Sequence, residues 1–110
     1  MKKAMPELIH GTLDLLILKT VSNSPMHGWA IAKHIQQISD EALEVGQGSL
    51  YPALYRLEDR GMITGRWGVS ESGRRAKVYS VTRKGRKQLV AEEALWEQFY
   101  KSINRVLGSA

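Results

Sequence analysis

With 110 residues, 43% of them apolar, the chain is sized for about one domain with a single modest core. It has no cysteine, which excludes a disulfide framework and a thiolate zinc site and fits a reducing, cytoplasmic compartment. The formal charge of +5 is too small to name a polyanionic partner by itself, but it is unevenly spread. Arg66, Arg74, Arg75, Lys77, Arg83, Lys84, Arg86 and Lys87, half of the sixteen basic residues, lie in one fifth of the chain against a single acid, Glu71. That segment is the expected electrostatic footprint.

The opening residues carry two lysines, but Pro6, Glu7, His10 and Asp14 interrupt any apolar export signal. The longest aliphatic run, Leu15 to Leu18, is far short of the roughly 20 residues of a membrane helix. No membrane partner is expected.

In chain order, the first periodic segment runs from about Leu8 to Val21. Leu13, Leu16, Ile17 and Thr20 form one side, with Leu8, Leu15 and Leu18 partly on another. A helix apolar over so wide an arc lies deep in a core or turns a second face to a partner chain. Asn23-Ser24-Pro25 ends it, because the residue before proline is disfavoured in helical geometry. From Gly28 to Ile38, the spacing of Ile31, Ile35 and Ile38 predicts a short amphipathic helix. A polar connection follows, and Ser49 as N-cap with Pro52 in the first turn opens a third helix. Leu50, Leu54 and Leu57 are its buried stripe and Gly61 its stop.

Beyond Gly61 the period changes. Met62 to Trp67 and Lys77 to Thr82 read as two strands of a hairpin, with Gly68, Ser70, Ser72 and Gly73 in its loop. Thr82 then caps a last helix from Arg83 to Leu107, which is about 37 Å long at the standard rise. Its seam of Leu89, Trp96, Phe99, Ile103 and Val106 exceeds what so small a domain can cover. It is therefore expected to dimerise, packing with the first helix.

The fold expected is mainly α with a small β-hairpin, an α+β winged helix-turn-helix over residues 1–82. The dimerisation helix of residues 83–110 is one compact unit with it. Such a plan suits double-stranded DNA: the second helix of the pair fits a major groove, and a basic hairpin reaches the flanking backbone or minor groove. On the recognition helix, Gln47, Ser49, Tyr51, Tyr55 and Arg56 lie off the leucine stripe. Gln pairs with adenine, Arg with guanine, and hydroxyls and free amides with phosphate. The alternative for Tyr51 and Tyr55 is packing against the core. On the wing, Arg74, Arg75 and Lys77 are candidates for phosphate or minor-groove contact, against the alternative of a solvated charged hairpin.

Catalytic and cofactor chemistry finds no support. His10, His27 and His34 lack ligand spacing, so no metal is expected. Gly46-Gln47-Gly48 fails the dinucleotide fingerprint because Tyr51 stands at its last position, and no activated nucleophile is present. Neither an enzyme nor a cofactor is expected. Leu13, Ile17, Trp96, Phe99, Tyr100 and Ile103 are candidates for the dimer interface, with a flat hydrophobic or aromatic effector between paired helices as the sharper alternative. A protein-interaction or small-molecule sensing module with an incidental basic wing is the second functional class.

Four strings carry a family resemblance: Gly11 to Leu18, Met26-His27-Gly28-Trp29, Gly48 to Gly61 and Arg74 to Gly85, with Leu50-Tyr51-Pro52-Ala53-Leu54 the most specific part. Together they resemble the PadR family of bacterial transcription regulators over roughly residues 7 to 107. The resemblance implies a winged-helix homodimer joined by its first and last helices, usually a repressor acting on a roughly palindromic operator. It places Ser49, Tyr51 and Pro52 on the recognition-helix motif and Arg74, Arg75 and Lys77 on the wing. Trp29 stands where tyrosine is frequent and Tyr55 where histidine is frequent. The chain is similar to the short subgroup, whose effectors range from phenolic acids to lipophilic drugs to none.

Overall fold

A computed structural model describes residues 11–69 and 71–109. Helix α1 spans Thr12–Asn23, strand β1 Met26–His27, helix α2 Gly28–Ile38 and helix α3 Gln47–Asp59. Strands β2, Ile63–Val69, and β3, Arg75–Val81, form the wing, and helix α4 spans Arg83–Leu107. The expected start of α1 at Leu8 lies outside the described residues. Within them the helix opens after Gly11, which takes a left-handed φ of 89°, and runs two residues beyond Val21.

The core forms where α1, α2 and α3 meet the base of the sheet. Ile17, Leu18, Val21, Ile31, Leu50, Leu54 and Ile63 are its largest fully buried side chains. Thr20 is buried as well, and its hydroxyl donates to the Leu16 carbonyl one turn back, so that hydroxyl is satisfied. Two apolar expectations are corrected. Ile38 ends α2 at 73% exposure because the chain turns away there through Asp40 and Glu41, both at positive φ. Ile17, expected at a dimer interface, is 0% exposed in its own chain and has no surface to offer a partner.

The expected hairpin is part of a three-stranded antiparallel sheet of order β1-β3-β2. Strand β1 pairs Met26 with Tyr79 and His27 with Val78, closing the edge of β3 at its inner end. Both wing strands are longer toward the turn than expected, and the register sets Trp67 against Lys77 and Val69 against Arg75. With side chains alternating at period two, Trp67, Lys77, Arg75 and Tyr79 share one face.

Helix α3 begins earlier than expected. Gly46 is its N-cap, which places Ser49 third and Pro52 sixth in the helix. Pro52 therefore withholds the amide that would meet the Gly48 carbonyl, a loss softened by the exposure of both residues. The far end closes with Gly61 at φ 75° and amides of Met62 and Gly61 on the carbonyls of Leu57, at 2.9 Å, and Glu58, at 3.0 Å.

Helix α4 matches its expected limits. The Thr82 hydroxyl accepts from the Gly85 amide at 3.0 Å and donates to the Gly61 carbonyl at 2.6 Å, joining the start of α4 to the end of α3. Gly85 is buried there because the Met62 carbonyl occupies the place of a β-carbon. Past Leu89 the helix leaves the core. The radius of gyration, 15.3 Å, accordingly exceeds the value of about 13 Å usual for a compact domain of this size.

Candidate nucleic-acid interface

Leucines fix how α3 presents itself. With Leu50, Ala53, Leu54 and Leu57 buried, the helical period turns Gly48, Pro52, Tyr55 and Asp59 directly outward. Gln47 and Ser49 are exposed in the first turn, where free amides and the helix dipole favour an anion. The close approach of α2 to α3 rests on Gly28, whose absent β-carbon leaves room for the Tyr51 ring and for Leu54, 3.1 and 3.3 Å from where it would stand. Tyr51 thus packs against the start of α2 while keeping part of its ring in solvent, and Tyr55 stands well clear of the core.

The recognition helix and the wing open onto one cleft of about 360 Å³. Tyr51, Tyr55 and Glu58 line it from α3, Trp67, Arg75 and Lys77 from the wing, and His27 and Trp29 from β1 and α2. The aromatic and basic side chains are already arranged among themselves. The His27 and Trp29 rings are stacked with centroids 6.0 Å apart, and the Arg75 guanidinium lies 5.0 Å from the Trp67 ring centroid. Trp67 and Glu58 were not singled out in the sequence; the alternation of the strands, which puts Trp67 in phase with Lys77, is the signal that finds the first.

The predicted contact residues divide into two groups. Gln47, Ser49, Tyr51, Pro52, Tyr55, Arg74 and Arg75 are exposed on α3 and the wing. Arg56 and Lys77 are engaged inside the chain: Arg56 donates to Asp14 of α1 at 3.0 Å, and Lys77 donates to Glu58 at 2.9 Å. The Lys77 ammonium is held above its usual pKa, chiefly by the hydrogen bond to Glu58 against a smaller opposing effect of desolvation. Burial likewise raises the Tyr79 hydroxyl, with Lys77 acting in the opposite direction.

At the other end of the molecule Trp96 and Phe99 lie 6.1 Å apart, their rings tilted by 48°. Trp96, Phe99, Tyr100 and Ile103 are all exposed, whereas Leu13 is half-buried beside the core. Among the described residues no cluster of three or more His, Cys, Asp or Glu could hold a metal ion, and no helix is long and apolar enough to cross a membrane.

Comparison with known proteins places this architecture. A transcriptional regulator from Clostridium thermocellum superposes with a TM-score of 0.82 at 31% identity, covering 91% of this chain and 97% of that one. A PadR-like transcriptional regulator from Bacillus cereus gives a TM-score of 0.81 at 26% identity, over 96% and 100% of the two chains. The transcriptional regulator Rv3488 of Mycobacterium tuberculosis is 30% identical over 99 residues, 90% of this chain and 89% of its own length. The family model for the PadR-like transcriptional regulators matches residues 17–91, and the chain belongs to that family of DNA-binding regulators.

Proposed function

We propose that the protein is a homodimeric repressor that binds a specific, roughly palindromic double-stranded operator in the cytoplasm. The observation that carries this reading is the shared cleft: exposed side chains of α3 and a basic wing open on one surface, as simultaneous contact with a major groove and its flank requires. Gln47, Ser49, Tyr51 and Tyr55 are the proposed contacts of the helix, with Pro52 on its outward face. Arg74 and Arg75 are those of the wing, to phosphate or minor groove. Arg56 serves from a braced position, its guanidinium fixed by Asp14.

The unpaired face of α4 supports dimerisation, since Trp96, Phe99, Ile103 and Val106 recur along it at near-heptad spacing without cover from their own chain. Half-sites about 10 bp apart then follow from the geometry of such dimers. The proposed sign of regulation follows from the family resemblance alone. The tilted Trp96–Phe99 pair supports a second reading, in which a flat hydrophobic effector enters between paired α4 helices and shifts the dimer away from DNA.

Gel shifts with fragments upstream of the gene test the proposal. Competitor-resistant, salt-sensitive binding of a dimer is expected; absence of binding to any fragment at low salt would contradict it.

A further inference from the structure

Among the three basic residues of the wing, Lys77 is set apart. Arg74 stands in the turn and Arg75 opens β3, both exposed, whereas Lys77 lies near the middle of the strand with its side chain only 27% exposed. Its ammonium is 2.9 Å from Glu58 on α3, itself 30% exposed, and 5.7 Å from the centre of the Tyr79 ring. The strand opposite makes room for this course. Gly65 faces Tyr79 across the ladder, and a β-carbon on it would stand 2.5 Å from Cε of Lys77 and 3.1 Å from its Cδ. The lysine stem thus lies against Gly65, and a larger residue there would make it shift.

We infer that Lys77 is a positioning residue for DNA binding: through Glu58 it ties the wing to the recognition helix and sets the angle between them, and it does not contact phosphate. The inference rests on the DNA-binding reading and assigns the parts of that surface. A Lys77 turned toward a phosphate would share its ammonium with a second anion and hold Glu58 less firmly, leaving that carboxylate less compensated in a cleft that faces a polyanion. The pairing instead cancels that charge and spans two elements whose relative orientation decides whether helix and wing can touch one duplex together. A hydrogen-bonded ammonium is short and directional, so it fixes geometry in a way that a solvated charge does not. The raised pKa of Lys77 agrees with a cation held by a carboxylate.

The test compares the affinity and the salt dependence of operator binding for the full-length wild type, Lys77→Met, Glu58→Ala and the exchanged pair Lys77→Glu/Glu58→Lys. Thermal unfolding confirms that each variant folds. A strut predicts that both single variants bind about tenfold more weakly, the size of coupling usual for paired side chains. It predicts a salt slope unchanged in Lys77→Met and most of the affinity regained in the exchanged pair. A phosphate contact predicts instead that Lys77→Met lowers the slope by up to about 1.8, one contact being lost from each protomer of a dimer. It also predicts that Glu58→Ala binds as well as wild type or better, and that the exchange rescues nothing. Any of those three outcomes in a wild type that binds overturns the inference alone. A wild type that binds no DNA overturns the DNA reading and the inference with it. Gly65→Ala is the independent variant: its methyl group crowds the flexible lysine stem and the Tyr79 ring, so it is expected to weaken binding less than Lys77→Met with the salt slope unchanged, and a lowered slope would overturn the strut.

Discussion

The two halves of α4 are built for different surroundings. From Arg83 to Leu89 the helix is fitted to its own chain: Thr82 caps it, Gly85 lets the Met62 carbonyl approach, Lys84 donates to the Arg60 carbonyl at 2.8 Å, and Leu89 is in the core. From Leu95 to Leu107 it turns large apolar side chains to solvent, from Trp96 at 39% exposure to Leu107 at 76%. One continuous helix therefore combines a half that completes its own chain's core with a half whose apolar face that chain leaves uncovered, the face proposed to pair in the dimer. Periodicity alone does not separate them, since the apolar seam runs through both.

Substitutions can sharpen this division. Gly85→Ala should have the largest effect, about 3 kcal/mol or more of lost stability, because its methyl group meets backbone and cannot be accommodated by a side-chain rotation. Chemical denaturation at several protein concentrations would show the same loss at each. Trp96→Ala and Ile103→Ala should each weaken dimerisation by about 2 kcal/mol while leaving the protomer's fold intact, as truncation of a central interface residue does. Sedimentation over a dilution series reads this directly, and a wild type that stays monomeric at high concentration would break the comparison. Thr82→Ala should cost about 1 kcal/mol, the usual value of an N-cap, again without concentration dependence. Arg56→Ala should cost about 1 kcal/mol, since the Arg56 side chain is half in solvent but the Asp14 carboxylate it leaves unpaired is only 13% exposed.

Alkaline pH addresses the wing side of the protomer. Lys77 and Tyr79 both have folded-state pKa values above their ordinary ones, so the stability they confer is fully present below the unfolded values and is lost as pH rises through the folded ones. Unfolding curves should therefore be insensitive to these two groups at neutral pH and show their loss above about pH 10. Lys77→Met should remove part of that alkaline sensitivity.

Much of the fold was legible because local signals were strong. Both limits of α4 follow from a threonine cap and from the absence of glycine or proline between Gly85 and Gly108, and α2 is bounded as its isoleucine spacing indicates. Helix α3 was harder. Ser49 and Pro52 carry the usual marks of a helix start, yet the helix begins at Gln47 with a glycine cap that has no side chain to announce it. Strand β1 has only two residues, too few for a period, and exists because Met26 and His27 complete the edge of β3. The site was legible as a set of residue types but not as a set of contacts. Lys77 and Glu58 are 19 positions apart, and Arg56 and Asp14 42 apart, so only folding reveals which basic residues are engaged and which are free.

The central claim is that α3 and the wing together hold DNA, with Arg74 and Arg75 as the phosphate-binding tip. It is tested most directly by the salt dependence of operator affinity in wild type and in Arg74→Ala/Arg75→Ala. The account predicts a steep linear fall of log affinity with log salt in wild type. In a dimer, the double variant removes four such contacts if all are made, lowering the slope by up to about 3.6 and weakening specific and non-specific DNA alike. An unchanged slope in the double variant, or a wild type whose binding ignores salt, would contradict it.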